Sequence, residues 1–320
     1  MKNRVIKEII ELLSAERNLS RTDIAKLTDT SYSTITKFTD ILVEQDILKV
    51  RRSNAKKGTI KSNRYNLHPS KYFIVFDLND RVYKAHFCSL AGKIKNTFVY
   101  HLSQEHSFEE DRYYFLKNIK FLIDKYSRNK LCGQAIILAD GYDENLIQHG
   151  RINSLINSIA NDKHLIVEKD RYLKAKYTVE QLKDNDFSLL LLINKDAFIN
   201  CYLTHDTDID KILFASVGDN ITYKNIPLKD YVDYLVDPVS IVEQFSSVID
   251  SILKTVPVNK VYISGNLFTH MDSLTALISE NFTSLDIEFK HINYKNYIQY
   301  VAKLLRDSIS EAIISNYLSK

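Results

Sequence analysis

Leu19-Ser20-Arg21-Thr22-Asp23-Ile24-Ala25-Lys26-Leu27-Thr28, followed closely by Ser31-Tyr32-Ser33-Thr34-Ile35-Thr36-Lys37-Phe38-Thr39-Asp40-Ile41-Leu42-Val43-Glu44, is the stretch on which the fold turns. Ser20 offers a hydroxyl at a helix cap and Asp23 a carboxylate three residues on, a variant of the capping box, with Ile24, Ala25 and Leu27 as the apolar side of the helix that follows. That helix ends near Thr28-Asp29. The next begins after Ser31, and Ile35, Phe38, Ile41 and Leu42 form its apolar stripe. Its opposite face carries Tyr32, Ser33, Thr34, Thr36 and Lys37. Short hydroxyl side chains allow close approach to a major groove and bond base edges or phosphates, and a lysine meets the backbone charge. Two helices joined by so short a turn, the second decorated in this way, predict a helix-turn-helix.

Working outward, Val5, Ile6, Ile9, Ile10, Leu12 and Leu13 recur at helical spacing and predict an earlier amphipathic helix from about Asn3 to Glu16. Downstream of Ile47-Leu48, Lys49 to Ser53 and Ser62 to Leu67 pair as strands around a Lys56-Lys57-Gly58 turn, forming a basic wing. Residues 1–76 hold 15 Lys+Arg against 8 Asp+Glu, a balance of +7, whereas residues 77–320 hold 28 against 32, a balance of −4. No acid lies between Asp46 and Asp77, a span that holds Lys49, Arg51, Arg52, Lys56, Lys57, Lys61, Arg64 and Lys71. Such a stretch beside a small helical module is the footprint of a polyanion binder, although a solvated charged loop has the same composition. The predicted contacts with double-stranded DNA are Ser31, Tyr32, Ser33, Thr34, Thr36 and Lys37 at base edges and nearby phosphates. Arg51, Arg52, Lys56, Lys57, Lys61 and Arg64 are predicted on phosphates or in the minor groove.

The 320 residues, 45% of them hydrophobic, suffice for two domains, with Leu67-His68-Pro69-Ser70 as the linker between residues 1–70 and 71–320. No run of 18 apolar residues occurs and the N-terminus lacks an apolar signal core, so a cytoplasmic protein without a membrane span is expected. Cys88, Cys132 and Cys201 have no metal-ligand spacing and read as buried thiols. The nine histidines form no ligand motif, and none is assigned to catalysis or metal. No two of the seven glycines lie closer than eight residues, which excludes glycine-rich phosphate loops of the P-loop and dinucleotide-binding types.

Beyond the linker, Tyr72 to Leu78, Arg81 to Leu90 and Lys93 to Leu102 predict a meander. A helix from Phe108 to Tyr126 and an apolar strand from Gln134 to Ala139 follow. A helix over Ile152 to Asn161, a strand over Leu165 to Glu168, a helix over Leu173 to Leu182 and a hairpin of Phe187 to Asn194 with Phe198 to Thr204 continue the alternation. Helices over Val239 to Leu253 and Met271 to Asn281 flank a strand at Lys260 to Ser264. Ile287 to Ile292 is a last strand before a helix from Tyr297 to Tyr317, whose apolar Val301, Leu304, Leu305, Ile309, Ala312 and Ile313 read as core. The pattern is that of an α/β protein in two lobes.

The front segment resembles the winged helix of repressors in the ROK family (repressors, open reading frames, kinases). Several later fragments resemble that family's two-lobed actin/hexokinase-like domain: Phe76-Asp77-Leu78-Asn79-Asp80 with Leu90-Ala91-Gly92-Lys93-Ile94, Val167-Glu168-Lys169-Asp170, and Val261-Tyr262-Ile263-Ser264-Gly265-Asn266-Leu267-Phe268. The resemblance implies a dimeric transcriptional regulator, a homodimer or a dimer of dimers, in which a sugar or sugar phosphate in a kinase-like domain alters operator affinity. It assigns Asp170 to the family's sugar-hydroxyl base and makes Asp77, Lys169 and Asp219 further ligand candidates. The departures are substantive. The family's first phosphate loop, Asp-x-Gly-Gly-Thr, is here Asp77-Leu78-Asn79-Asp80-Arg81; its second would fall at Asn194-Lys195-Asp196-Ala197-Phe198, with no glycine. The family's Glu-x-Gly-His element is met by Gly218-Asp219-Asn220-Ile221-Thr222-Tyr223, which lacks the histidine. Its cysteine-rich zinc loop has no counterpart between Tyr223 and Val236. A non-catalytic, pseudo-kinase sensor without metal or cofactor is therefore expected, with a sugar kinase and a ligand-independent dimerisation scaffold as the alternatives.

Overall fold

The structure, a computed structural model, describes residues 2–15, 18–52, 63–78, 82–139, 151–159, 164–182, 188–193, 199–205, 208–212, 222–223, 226–227, 250, 254, 260–265, 279–283 and 285–318. They divide into two units, residues 1–169 with 298–320 and residues 170–297, so that position 70 falls inside the first.

Local chemistry sets the first elements. Helix α1 (Lys2–Ala15) turns Val5, Ile6, Ile9, Ile10 and Leu13 inward. A two-residue strand, β1 (Leu19–Ser20), leads into α2 (Arg21–Leu27). The capping box forms as the sequence predicts: the Asp23 amide donates to Ser20 Oγ at 3.1 Å, and the Asp23 carboxylate accepts from the Ser20 amide at 2.9 Å and its hydroxyl at 2.8 Å. These two donors hold the Asp23 carboxyl below its ordinary value. Helix α3 (Tyr32–Glu44) is capped by Ser31 and buries Ile35, Phe38, Ile41 and Leu42. Strands β2 (Leu48–Arg52) and β3 (Asn63–Leu67) pair antiparallel, and β1 joins them in the order β1-β3-β2. The sequence reading omits β1, because two residues carry no periodicity and the strand exists only through its partners Tyr65 and Arg64. Asn18, at φ 63, makes the preceding turn, and its amide and side chain pair with the Asn66 side chain at 2.8 and 2.7 Å.

The segment that follows is tied down. Asp46 receives Lys71 at 3.0 Å and His68 at 3.5 Å, the His68 amide donates to the Ile47 carbonyl, and Lys95 Nζ donates to the Pro69 carbonyl. Strands β4 (Tyr72–Leu78), β5 (Val82–Ser89) and β6 (Ile94–His101) form the predicted meander. Gly92, at φ 77, supplies the left-handed residue in the turn before β6. Helix α4 (Phe108–Tyr126) has the bounds that its periodicity predicts and opens on a second capping box, Ser107 with Glu110. Strand β7 (Leu131–Leu138) starts three residues before the predicted Gln134, because Leu131 is itself buried in the core. Helix α5 (Arg151–Ile159) and strand β8 (His164–Lys169) complete a five-stranded sheet of order β6-β5-β4-β7-β8, in which β4, β7 and β8 run parallel.

One face of this sheet, with Ile74, Phe76, Tyr83, Phe87, Ile136 and Leu138, packs on Phe115 and Ile119 of α4 and Leu155 and Ile159 of α5. The C-terminal helix (Tyr294–Leu318) packs at Gly133, where a Cβ would lie 3.0 Å from Ile309 Cδ1 and 3.2 Å from Leu305 Cδ1. The glycine permits that close approach. The same helix meets α1 through Lys7 with Glu311 at 2.6 Å and through buried Arg306, which donates to Ser14 Oγ at 3.0 Å. It begins three residues before the predicted Tyr297, at an Asn293 cap.

In the second unit, α6 (Asp170–Gln181) starts before the predicted Leu173, because Asp170 and its neighbours make a polar first turn that an apolar stripe does not register. The hairpin forms as β9 (Ser188–Ile193) and β10 (Ile199–His205), extended by an unpredicted β11 (Asp208–Ile212). Strands β12 (Thr222–Tyr223) and β13 (Ile226–Pro227) pair with each other, and β14 (Lys260–Gly265) and β15 (Asp286–Lys290) complete the sheet β11-β10-β9-β14-β15. Its core joins Ala175 and Val179 to Leu190, Leu192, Tyr202 and Tyr262. The Lys56-Lys57-Gly58 turn, residues 79–81, 194–198 and 218–221, and nearly all of the helices predicted over 239–253 and 271–281 lie outside the described residues.

Candidate functional site

The cap and first turns of α3 gather the six residues predicted at base edges and nearby phosphates. Ser31 caps the helix, with its Oγ 2.8 Å from Thr34 Oγ1 and 3.1 Å from Ser33 Oγ. Ser31, Tyr32, Ser33 and Lys37 are exposed, Tyr32 with 57% of its surface open, and Thr34 is half-buried. Thr36 departs from this pattern. The residue is half-buried like Thr34, but its hydroxyl oxygen is buried with no hydrogen-bond partner and so is not presented outward.

The orientation of α3 depends on a residue that the sequence reading passes over. Arg21, at the start of α2, donates through Nε to Thr39 Oγ1 at 2.9 Å, pairs with the Asp40 carboxylate, and lies 5.1 Å over the Tyr65 ring. One guanidinium thus joins α2, α3 and β3, a use that suits its planar fork. No local signal announces it, since its partners are 18, 19 and 44 positions away in sequence.

The basic residues of the predicted wing separate. Arg51 is exposed on β2, and the backbone of Arg52 ends that strand. Arg64 is drawn toward the body of the module: Nη1 donates to the Asn18 carbonyl at 2.5 Å and lies 3.5 Å from Asp23. It fastens β3 to the entrance of α2. Lys56, Lys57 and Lys61 lie outside the described residues.

The predicted ligand residues are also placed by structure. Asp77 sits near the end of β4, opposite Lys84 of β5, whose Nζ is 3.8 Å away. Lys169 ends β8 in the same sheet, with β7 between, and its amide donates to Glu168 Oε1 at 2.9 Å. In the second unit, Asp170 opens α6. Its Oδ1 accepts from the Tyr297 hydroxyl at 2.8 Å, and its Oδ2 lies 2.5 Å from Lys174 Nζ, one helical turn on. Both oxygens of the candidate sugar-hydroxyl acceptor thus have donors from the chain itself. Tyr297 is 127 positions away, and no local signal points to it as a partner. Asp219 lies outside the described residues.

Two buried titratable groups, Cys88 and His86, argue for packing. Burial pushes the Cys88 thiol up to about 12, which leaves no thiolate for nucleophilic chemistry at neutral pH. Burial brings His86 down to about 4, with Lys84 adding to the fall. Among the described residues no group of three His, Cys, Asp or Glu side chains is arranged to hold a metal ion, and no helix is long and apolar enough to cross a membrane.

By sequence, no protein family and no curated protein matches the chain. By structure, it is similar to a ROK family transcriptional regulator that is a homologue of the E. coli MLC protein, at a TM-score of 0.62 and 14% identity over 98% of this chain and 97% of that one. It is also similar to the inorganic polyphosphate/ATP-glucomannokinase of Arthrobacter sp. strain KM, at 0.50 and 12% identity over 74% of this chain and 98% of that one. A ROK family glucokinase from Streptomyces griseus, solved with glucose and AMPPNP, aligns at 0.48 and 9% identity over 73% and 98%. At these identities the likeness is one of fold: a mixed α/β architecture of the actin/hexokinase-like ROK type. Its structural neighbours include both a regulator and sugar kinases.

Proposed function

We propose that the chain is a DNA-binding transcriptional regulator, a cytoplasmic repressor of sugar-related genes. In this reading residues 1–70 form a winged helix-turn-helix, and residues 71–320 form a ROK-type sensor and dimerisation domain that transfers no phosphoryl group. The observation that carries the reading is the start of α3, where Ser31, Tyr32, Ser33 and Lys37 stand exposed on a helix whose other face is buried. A helix N-terminus of short polar side chains fits a major groove, and Arg51 with the lysines of 56–61 would meet phosphates. The role leaves out Thr36, whose hydroxyl oxygen is buried, and Arg64, which is engaged with Asn18 and Asp23. Support also comes from extent: the regulator aligns over 98% of this chain and the glucomannokinase over 74%. A sugar or sugar phosphate would act as effector by binding one conformation of the sensor more tightly than another. Asp77, Lys169, Asp170 and Asp219 are the candidate contacts.

Fluorescence anisotropy with a duplex from the gene's own upstream region and a scrambled control tests the reading. The native duplex should bind more tightly. Ser33→Ala should narrow the preference by about 1 kcal/mol, and Lys37→Ala should weaken both duplexes together. Equal affinity of the unaltered protein for the two duplexes would refute specific recognition.

A second reading, a sugar kinase, is favoured by the fold likeness to the glucomannokinase. It requires triphosphate binding by a chain whose first phosphate loop reads Leu78-Asn79-Asp80 after Asp77. A thermal shift with Mg·ATP that increases when a sugar is added would favour it.

A further inference from the structure

Among the described residues of the helical module, the large apolar side chains left exposed are Leu27, Tyr32 and Val50. They are not scattered. Leu27 ends α2, Tyr32 opens α3 and Val50 lies on β2, and these are elements that a winged helix-turn-helix sets against a duplex. Tyr32 is the largest of the three and has 57% of its surface open. The buried stripe of α3 is complete without it, in Ile35, Phe38, Ile41 and Leu42, so packing does not call for a ring at the first residue of the helix. An apolar surface left open at this place marks a contact with something outside the chain.

The chemistry of the rest of the helix indicates what that contact reads. In the major groove arginine reads guanine and asparagine or glutamine reads adenine through paired hydrogen bonds, a carboxylate accepts from cytosine, and an apolar group meets the 5-methyl of thymine. Helix α3 holds no arginine, asparagine or glutamine. Its carboxylate nearest the exposed first turns, Asp40, pairs with Arg21. Ser31 Oγ lies within hydrogen-bond distance of Ser33 Oγ and Thr34 Oγ1, and a hydroxyl, which both donates and accepts, suits several base edges. Lys37 suits a guanine or a phosphate. Of the side chains exposed on the cap and first turns, Ser31, Tyr32, Ser33 and Lys37, the ring of Tyr32 is the one suited to a methyl group.

We propose that Tyr32 is a specificity-determining residue whose ring packs on the 5-methyl group of a thymine in the major groove, so that the bound sequence holds a thymine at one fixed position. The inference deepens the DNA-binding reading and rests on it. What is recognised is the methyl group and not the hydrogen-bonding edge of the base, and uracil, which pairs as thymine does, lacks that group. The contact is therefore open to a test that leaves base pairing and backbone charge untouched.

Duplexes selected by the full chain from a random pool supply the probe, with each thymine of the selected sequence replaced in turn by deoxyuridine. At one position the affinity, read by fluorescence anisotropy, should fall about fourfold, the effect of taking one methyl group out of contact. Tyr32→Ala should show the same fall on the thymine duplex and no further fall with uracil at that position, since ring and methyl act as a pair. Tyr32→Phe, which keeps the ring and gives up the hydroxyl, should retain the discrimination. Both variants should keep the melting temperature, because the side chain is exposed. Selected duplexes that bind equally with uracil at every position, or a Tyr32→Ala protein that still discriminates the methyl group, would overturn the contact and leave DNA recognition standing. Discrimination lost in Tyr32→Phe would assign the role to the hydroxyl and overturn it as well. A pool from which no sequence is enriched would refute the DNA-binding reading itself, and this contact with it.

Discussion

His86 shows how a single residue's environment becomes a property of the whole chain. It is buried on β5, with Nδ1 3.0 Å from Thr97 Oγ1, and burial keeps it neutral down to about pH 4. In the unfolded chain the ring takes up its proton near the ordinary value of 6.5. Between these two values the unfolded state binds more protons. Stability is therefore complete above about pH 6.5 and falls as the pH drops toward 4, by on the order of 3 kcal/mol from this residue. Urea midpoints at pH 7 and pH 4.5 should differ accordingly, and His86→Gln, which keeps a partner for Thr97 without titrating, should remove that part of the difference. An identical pH dependence in the two proteins would refute the assignment. Arg21 teaches the complementary lesson. It belongs to a strongly basic segment, yet its charge is spent on Thr39, Asp40 and Tyr65, and Arg64 is spent in the same way on Asn18 and Asp23. Counting charges along a chain does not distinguish such internal fasteners from phosphate contacts.

At the scale of elements, what was legible was local. Ser20 with Asp23 and Ser107 with Glu110 announce two helix starts, and the apolar spacing of α4 predicts both of its ends, because caps and stripes are written within one or two turns. What was illegible depends on distant partners: β1 exists through Tyr65 and Arg64, and β11, at the end of its sheet, pairs among the described residues with β10. The contact between α1 and the C-terminal helix is the most consequential of these. Arg306 is buried, donates to Ser14 Oγ at 3.0 Å, and lies 3.1 Å from Asp307 and 3.7 Å from Glu11, while Lys303 stands 3.6 Å from the same glutamate. With Asp46 held by Lys71 and His68, it fastens the three-helix module at two places. Removing the guanidinium leaves Ser14 and two carboxylates short of a donor in a partly desolvated contact, at a cost of about 2 to 3 kcal/mol. Arg306→Ala should therefore lower the melting temperature by roughly 5 °C, whereas Ser14→Ala, which removes a single neutral acceptor, should cost about 1 kcal/mol. Equal and negligible shifts in both variants would mean that the contact contributes nothing to holding the module.

At the scale of the whole molecule, the division of charge makes the sharpest demand. Residues 1–76 carry +7 and residues 77–320 carry −4, so a polyanion is attracted by one part of the chain and repelled on average by the other. The alternation of sheets and helices conveyed the fold class, and the structure's likeness to ROK proteins agrees with it. The candidate ligand contacts were less legible, because a motif position fixes a residue type and not its partners: Asp170 is already engaged by Tyr297 and Lys174. Charge, in contrast, acts over the distance of a Debye length and tolerates ignorance of geometry. Each phosphate neutralised by a lysine or arginine releases counterions, and the logarithm of affinity falls with the logarithm of salt by about 0.9 per contact. If the basic segment supplies those contacts, replacing Lys56 and Lys57 together by Ala in the full chain should reduce the slope by roughly two and weaken native and scrambled duplexes by the same factor. Replacing two lysines of the acidic remainder, Lys120 and Lys254, should leave the slope unaltered although the net charge changes by the same amount. Equal effects from the two pairs would mean that DNA responds only to total charge, and the wing would have no special place in binding.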